Sequence, residues 1–391
     1  MKSGINRRRL GKTGLYVTEL SFGAMNLRLM NFIEESYELL DYVLDQGINL
    51  IDTARTYNGE NKQGQMVESE VLVGNAIRRR TDLKEPIVII TKGHGYVPED
   101  YKTDLFESLS KLGVEGKGSL KIGGNDIKLV YFFHGLNDTR WKTMKESGVL
   151  DLAQESKKEG LINYIGFSSH YANAAEIKEA LDTGIFDVAE LPYNIFNRSL
   201  GEDGAINLLE YAYNKDVGIV NMKAFNGTIM VPIYKMLKDM ISIDYPTMLN
   251  FCLSNPFIST VDAGAKSVEE FRQDIETALG NRLSIREIEK YKSEADVIAA
   301  DMDGICRECM HCLEKFSCPQ GVDFPGVLSL YSRYTVGEKL NKDTSELFKL
   351  YTDKGLRVED CIECGLCLEW CEYKLDIPDM LKKARDIFET V

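Results

Sequence analysis

The sequence has no apolar run long enough to cross a bilayer. Its longest hydrophobic stretches, such as Ile87-Val88-Ile89-Ile90, are strand-sized, whereas a spanning helix needs about 20 predominantly apolar residues. The N-terminus, Met1 to Arg9, has basic residues but no hydrophobic stretch behind them, so no signal peptide is expected. An excess of positive charge is also missing: 47 Lys and Arg stand against 61 Asp and Glu, a formal net charge of −14. That balance argues against nucleic acid or an anionic membrane as a partner, while leaving room for a local basic pocket around a phosphate. There is no low-complexity segment, and no internal repeat beyond strand–helix alternation and two cysteine runs. Cysteine is almost absent before residue 306, where Cys252 stands alone and reads as a small buried hydrophobe. A disulfide framework would need an oxidising compartment, to which nothing in the sequence points; the expected location is the cytoplasm.

What is present is the composition of a folded globular protein, 44% hydrophobic and 28% charged over 391 residues. That length exceeds one ordinary core, so a large domain plus a smaller one is expected. Leu10 to Val17 reads as a hairpin with glycines at its turn. Asn31 followed by Glu34 has capping-box spacing, Ile33, Tyr37, Leu40 and Leu44 recur at helical intervals, and Gly47 closes that helix. Strands are expected near 18–23, 48–52, 87–92, 127–134, 162–168, 186–191, 217–222 and 257–262. Helices are expected at 67–79, 99–112, 139–159, 172–182, 204–215 and 267–280. Eight strands each followed by a helix, within about 250 residues, predict an α/β fold, the (β/α)8 TIM barrel. An open doubly wound sheet would place G-x-G-x-x-G after its first strand, and Ser21-Phe22-Gly23-Ala24-Met25-Asn26 is not that loop. The glycine-rich stretches 59–64 and 113–124 read as surface loops. The domain boundary is placed near residue 283, giving 1–283 and 284–391, with a charged helix from Ser284 to Ala300 leading into the second part.

Three apolar runs end at ionisable residues: Leu50-Ile51 at Asp52, Ile87 to Thr91 at Lys92, and Ile127 to Phe133 at His134. Tyr57 follows Asp52 by five positions. In a closed parallel barrel the C-terminal strand ends converge on the face where chemistry sits. Singly, each residue has an ordinary reading: a helix cap, a loop aromatic, a solvated lysine, a core histidine. Together, with their neighbours, they resemble the aldo-keto reductases. The resemblance runs from residue 8 to about 280 and is carried by Leu10-Gly11-Lys12-Thr13-Gly14, Asp52-Thr53-Ala54-x-x-Tyr57, Lys92, Phe132-Phe133-His134 and Ile165-Gly166-Phe167-Ser168. It implies Tyr57 as general acid, Lys92 and Asp52 as its tuning pair, and His134 as the group that orients the substrate carbonyl. A free phenol, with a pKa near ~10, holds its proton too tightly to donate well, and a nearby ammonium favours phenolate. For a nicotinamide cofactor, NADPH or NADH, the resemblance is looser. The family's Ser-Asn pair is Ser168-Ser169 here, and Glu190 stands at the position of a Gln. Met222, next to Lys223, falls where a side chain stacks on the ring. Gly264, Lys266 and Ser267 fall at the adenosine end, where a helix N-terminus plus a lysine suits a phosphate.

The remaining cysteines form two runs. Cys306, Cys309 and Cys312 are followed by Cys318; Cys361, Cys364 and Cys367 are followed by Cys371. Three cysteines at two-residue gaps with a remote fourth is the bacterial ferredoxin pattern for 4Fe–4S clusters. On that logic one cluster takes Cys306, Cys309, Cys312 and Cys371, and the other Cys361, Cys364, Cys367 and Cys318. Zinc ribbons use paired rather than triple cysteines. Two departures stand out: five residues separate Cys312 from Cys318, and Glu372 replaces the usual proline; His311 is surplus to the ligand count. The expectation is an oxidoreductase acting on a small carbonyl or alcohol, with two clusters coupled to it or stabilising it and a ferredoxin or flavoprotein as a possible redox partner. Two rivals stay open: cluster-driven or flavin-linked chemistry without nicotinamide, and an electron-transfer or docking protein with a vestigial pocket.

Overall fold

Eight short parallel strands close on themselves, each hydrogen-bonded to the next in chain order. In the computed structural model, which describes residues 4–170, 174–225, 242–301, 304–306, 312, 316–371 and 374–389, they are β1 Leu20–Gly23, β2 Leu50–Asp52, β3 Ile87–Gly93, β4 Asn125–Phe133, β5 Tyr164–Ser168, β6 Val188–Pro192, β7 Gly218–Met222 and β8 Thr260–Ala263. Closure comes from β8 pairing with β1, Val261 opposite Leu20, and from β4 pairing with β5. The expected (β/α)8 barrel is what forms. Every residue of β3 is buried, one face against the barrel interior and the other against helices, which is why such strands read as unbroken apolar runs.

Side chains alternate along a strand, and this places the site. Leu50, Val88, Ile90, Val130, Phe132, Val188 and Val220 form one buried cluster, joined by Leu10 and Val17 from the antiparallel hairpin Arg7–Arg9 and Tyr16–Thr18. Two residues further along the same faces lie Asp52, Lys92, His134, Glu190 and Met222. The apolar filling of the barrel thus gives way to a polar layer at its C-terminal mouth.

The surrounding helices are α1 Ile33–Asp45, α2 Ser69–Arg78, α3 Pro98–Leu112, α4 Asp138–Ser147, α5 Val149–Lys158, α6 Ala174–Asp182, α7 Leu208–Asn214, α8 Tyr245–Leu253 and α9 Val268–Leu279. Three local expectations change. The cap of α1 is not Asn31 with Glu34; the Glu35 carboxylate accepts from the backbone N–H groups of Asn31 and Phe32. The segment 139–159 is two helices, because Gly148 adopts φ +79 between them, a conformation that ends an α-helix. The glycine-rich stretches are not open loops: Asn58–Glu60 pairs antiparallel with Met66–Glu68, and Lys121–Ile122 folds back on the start of β4.

Contacts divide the chain into two units, residues 1–224 with 246–284, and residues 225–245 with 285–391. Within the second, α10 Ile285–Asp301, α11 Phe324–Lys339, α12 Ser345–Asp353 and α13 Ile377–Phe388 follow in order. Phe324, Val327, Leu328, Leu347, Tyr351, Ile377, Leu381 and Phe388 form its core, with Tyr351 and Phe388 stacked at 4.9 Å. Asp323 and Asp376 cap α11 and α13, each accepting from a backbone N–H three residues on. Among the described residues no helix is long and apolar enough to cross a membrane.

Candidate active site and cysteine pocket

Lys92 is the hub. Its side chain is fully buried, and Nζ donates to both carboxylate oxygens of Asp52, to Thr53 O at 3.2 Å and to the Tyr57 hydroxyl at 3.4 Å; Glu190 Oε2 lies 3.5 Å away. Strand register explains the meeting, since Asp52 sits opposite Ile90 and Lys92 opposite Phe132. Tyr57 is held on the β2–α2 connection by backbone bonds from Tyr57 N to Ala54 O and from Ser69 N to Tyr57 O. Arg55, in the same connection, pairs with Asp104 and Glu107 of α3. His134 follows β4, packs edge-on against the Tyr57 ring at 5.9 Å, and stacks on His94 at 4.6 Å. Asp52, Tyr57, Lys92 and His134 are therefore brought together.

The sequence reading missed three members of this layer. His94 and His170 follow β3 and β5, so three of the chain's four histidines gather here, His170 lying 6.3 Å from His134. Asp262, the next-to-last residue of β8, is on the inward face; one oxygen each from Asp52, Glu190 and Asp262 lie within 4.8 Å of one another. Ser21 donates to Asp262 at 3.3 Å, and the carboxylate fills the space where a side chain at Gly23 would go. The inward parity of Asp262 was a usable signal, since it falls two residues past Thr260 on the last strand. Three carboxylates around one ammonium shape the electrostatics. Burial alone would pull Lys92 down, but Asp52 and Glu190 hold it well above its ordinary value. Burial, then Glu190, raise Asp52 against the pull of Lys92, and burial with Glu190 pushes Asp262 up to about 7. Burial also raises the Tyr57 phenol; Lys92 opposes this, yet Asp52, Glu190 and Asp262 reinforce it. The expected lowering of the phenol by lysine is thus outweighed, first by burial and then by Asp52, Glu190 and Asp262.

With this geometry in view, residues 19–277 match the aldo/keto reductase family. The chain belongs to that family. It is an aldo-keto reductase-like oxidoreductase. Two uncharacterized oxidoreductases of Bacillus subtilis are similar to it: YqkF, 25% identical over 74% of this chain and 96% of its own length, and YrpG, 30% identical over 42% of this chain. The chain spans about half of YrpG, 48%. Among solved structures, the holo form of the aldo-keto reductase AKR11C1 from Bacillus halodurans shares the fold, with a TM-score of 0.59 at 24% identity over 74% of this chain and 96% of that one.

In this reductase the residues expected to meet a nicotinamide fall in two groups. Ser168, Glu190 and Met222 lie at or near the C-terminal ends of β5, β6 and β7, with Ser169 just past β5, and Glu190 lies beside Lys92. Ser168 Oγ accepts from Gly135 N and Ser169 Oγ donates to Leu136 O, both at 2.9 Å, so the serines brace the β4 turn. Glu190 faces Lys92. Lys223 adopts φ 60, and its carbonyl accepts from Asn194 Nδ2. Gly264, Lys266 and Ser267 join β8 to α9. Gly264 packs against Asn26, Lys266 is exposed, and Ser267 caps the helix by accepting from Glu270 N at 3.1 Å. Glu270 Oε2 accepts in turn from Lys266 N at 2.7 Å. The positive end of α9 already has a carboxylate of its own.

In the second unit of the reductase, Cys318, Cys361, Cys364 and Cys367 line one cavity with Phe316, Phe324 and Leu381. Burial raises the Cys367 thiol to about 11, with Cys361, Cys364 and Cys318 close enough to add to the effect. Cys306, Cys312 and Cys371 pack against the same helical core. No described cysteine is in a disulfide. Cys309 and His311 lie outside the described residues.

Proposed function

We propose that this reductase interconverts a small carbonyl compound and its alcohol, with Tyr57 as general acid and NADH or NADPH as hydride donor. The observation that carries this reading is the contact of the Tyr57 hydroxyl with a buried Lys92 that is itself clamped by Asp52. When the carbonyl oxygen takes up negative charge, Tyr57 supplies the proton. The Lys92 ammonium stabilises the phenolate left behind, and Asp52 keeps Lys92 charged and aimed. His134, edge-on to Tyr57 and stacked on His94, orients the carbonyl oxygen toward the phenol. A nicotinamide supplies the hydride when bound. Ser168, Ser169, Glu190, Met222 and Lys223 would hold its ring end, with Glu190 accepting from the carboxamide NH₂. Gly264, Lys266 and Ser267 would hold the adenosine end. Glu270 at the α9 N-terminus opposes a 2′-phosphate, so NADH is the better fit of the two.

Residues 1–283 would form the reductase barrel and 284–391 a ferredoxin-like domain with two 4Fe–4S clusters. The donor set supports it: Cys318, Cys361, Cys364 and Cys367 facing one cavity are the four assigned to one cluster by spacing. Cys306, Cys309, Cys312 and Cys371 would hold the other, and clusters so held would exchange single electrons with a ferredoxin or flavoprotein.

Two measurements test the reading. Anaerobic titration with NADH and NADPH, alongside a spectral scan for flavin, should show nicotinamide binding; its absence overturns the hydride assignment. Metal analysis should find about eight iron and about eight acid-labile sulfide per chain, and zinc without sulfide refutes the clusters.

A further inference from the structure

The buried layer holds more acid than the proton relay of Tyr57, Lys92 and Asp52 needs. Asp52, Glu190 and Asp262 present oxygens within 4.8 Å of one another, and Asp52 and Glu190 are almost wholly inaccessible to solvent. One ammonium faces them. Like charges this close cannot all remain ionised in a poorly solvated site. Where the missing positive charge goes follows from the contacts. Asp52 takes two hydrogen bonds from Lys92, and Glu190 lies 3.5 Å from the same nitrogen. Among the described residues Asp262 accepts a side-chain hydrogen bond only from the Ser21 hydroxyl, so it is the carboxyl least compensated by Lys92.

We propose that Asp262 is protonated in the resting enzyme and serves as the proton store of the active site, passing its proton by way of Glu190 to Lys92. The inference rests on reading Tyr57 and Lys92 as the proton-donating pair. The order of transfers balances. As the carbonyl carbon gains hydride and its oxygen gains charge, the Tyr57 O–H bond breaks and an O–H bond forms on the substrate oxygen. The phenolate regains a proton from Lys92, and the resulting amine is refilled from Asp262 through Glu190, leaving both carboxylates ionised. Asp262 retains some exposure, and solvent restores its proton. The ionisable groups facing Asp262 are Glu190 from β6 and Lys92 from β3, Asp52 from β2 and Tyr57 from the β2–α2 connection. Its other close neighbours, Ser21 and Gly23 on β1, do not titrate. In keeping with this placement, burial and Glu190 bring Asp262 to about 7.

Infrared titration of the holoprotein tests the store without any substrate. Wild type should show a protonated-carboxyl C=O band that disappears with a midpoint between about pH 6 and about pH 8, far above an ordinary aspartate. Asp262→Asn should lose one carboxyl's share of the band, the remainder belonging to Asp274, which burial also brings to about 7, and Glu190→Gln should move the Asp262 share to lower pH by removing the neighbouring negative charge. No titrating band in that range, or a band untouched by Asp262→Asn, overturns the proposal. So does native mass spectrometry showing a stoichiometric cation that both variants release, since a cation would then balance the acids. None of these readouts depends on turnover, so failure of the reductase reading leaves the test intact.

Discussion

Replacing Asp262 by asparagine should make the protein more stable above neutral pH, the reverse of the usual result for a buried polar substitution. In the folded chain burial and Glu190 bring Asp262 to about 7, against an ordinary 3.8. A carboxyl raised on folding binds its proton more tightly in the native state. Its favourable contribution is complete below the unfolded value and is lost as pH climbs through the folded one. The difference of about 3 units, at about 1.4 kcal/mol each, sets an upper bound of about 4 kcal/mol. Residual solvent contact at Asp262 reduces this, and a gain of about 2 kcal/mol for Asp262→Asn at pH 8 is the working figure. Near pH 4 the gain should vanish, because the wild-type carboxyl is then neutral in the folded state. Urea unfolding followed by tryptophan fluorescence checks this. In a Trp370→Phe background the signal comes from Trp141, which is buried in α4 and donates to Glu179, so the barrel unit is read by itself. Equal destabilisation at both pH values would refute the charge argument.

Lys92→Met leaves two buried carboxylates and the partly exposed Asp262 without their cation. It should cost about 3–5 kcal/mol of barrel stability at pH 8 and much less at pH 5, by the same urea assay. Glu270→Gln removes the carboxylate from the positive end of α9. NADPH should then bind up to about fivefold more tightly, a gain of up to about 1 kcal/mol, with NADH unaffected in parallel titrations. Cys318→Ser removes one donor from the four-cysteine cavity, and iron per chain should fall from about eight toward about four in plasma-emission analysis of anaerobically purified protein.

The barrel was readable because a strand buried on both faces is an apolar run, and eight such runs alternate with helical patterns. Asp52, Lys92 and His134 were readable for a related reason: each is the polar residue that ends such a run, and strand ends share one face. Asp262 escaped because its meaning depends on closure. Its inward parity could be counted from Thr260, but only when β8 pairs with β1 does it lie against Gly23 and across from Glu190. His94 and His170 escaped likewise, since each looks like a loop residue until the β3, β4 and β5 ends are set side by side. The break at Gly148 and the capping role of Glu35 depend on backbone angles that composition does not specify. Glu270 shows the limit of a motif: Lys266 before a helix suggested a phosphate, while the side chain three residues beyond the cap supplies an anion from within.

The most direct test of the account is the rate of NADH-dependent carbonyl reduction by Tyr57→Phe, measured anaerobically beside wild type at saturating cofactor. Loss of the proton donor should lower kcat by about 10²–10⁴-fold while the NADH dissociation constant stays the same. A variant that turns over at the wild-type rate would contradict the assignment of Tyr57 and, with it, the chemistry proposed for the barrel mouth.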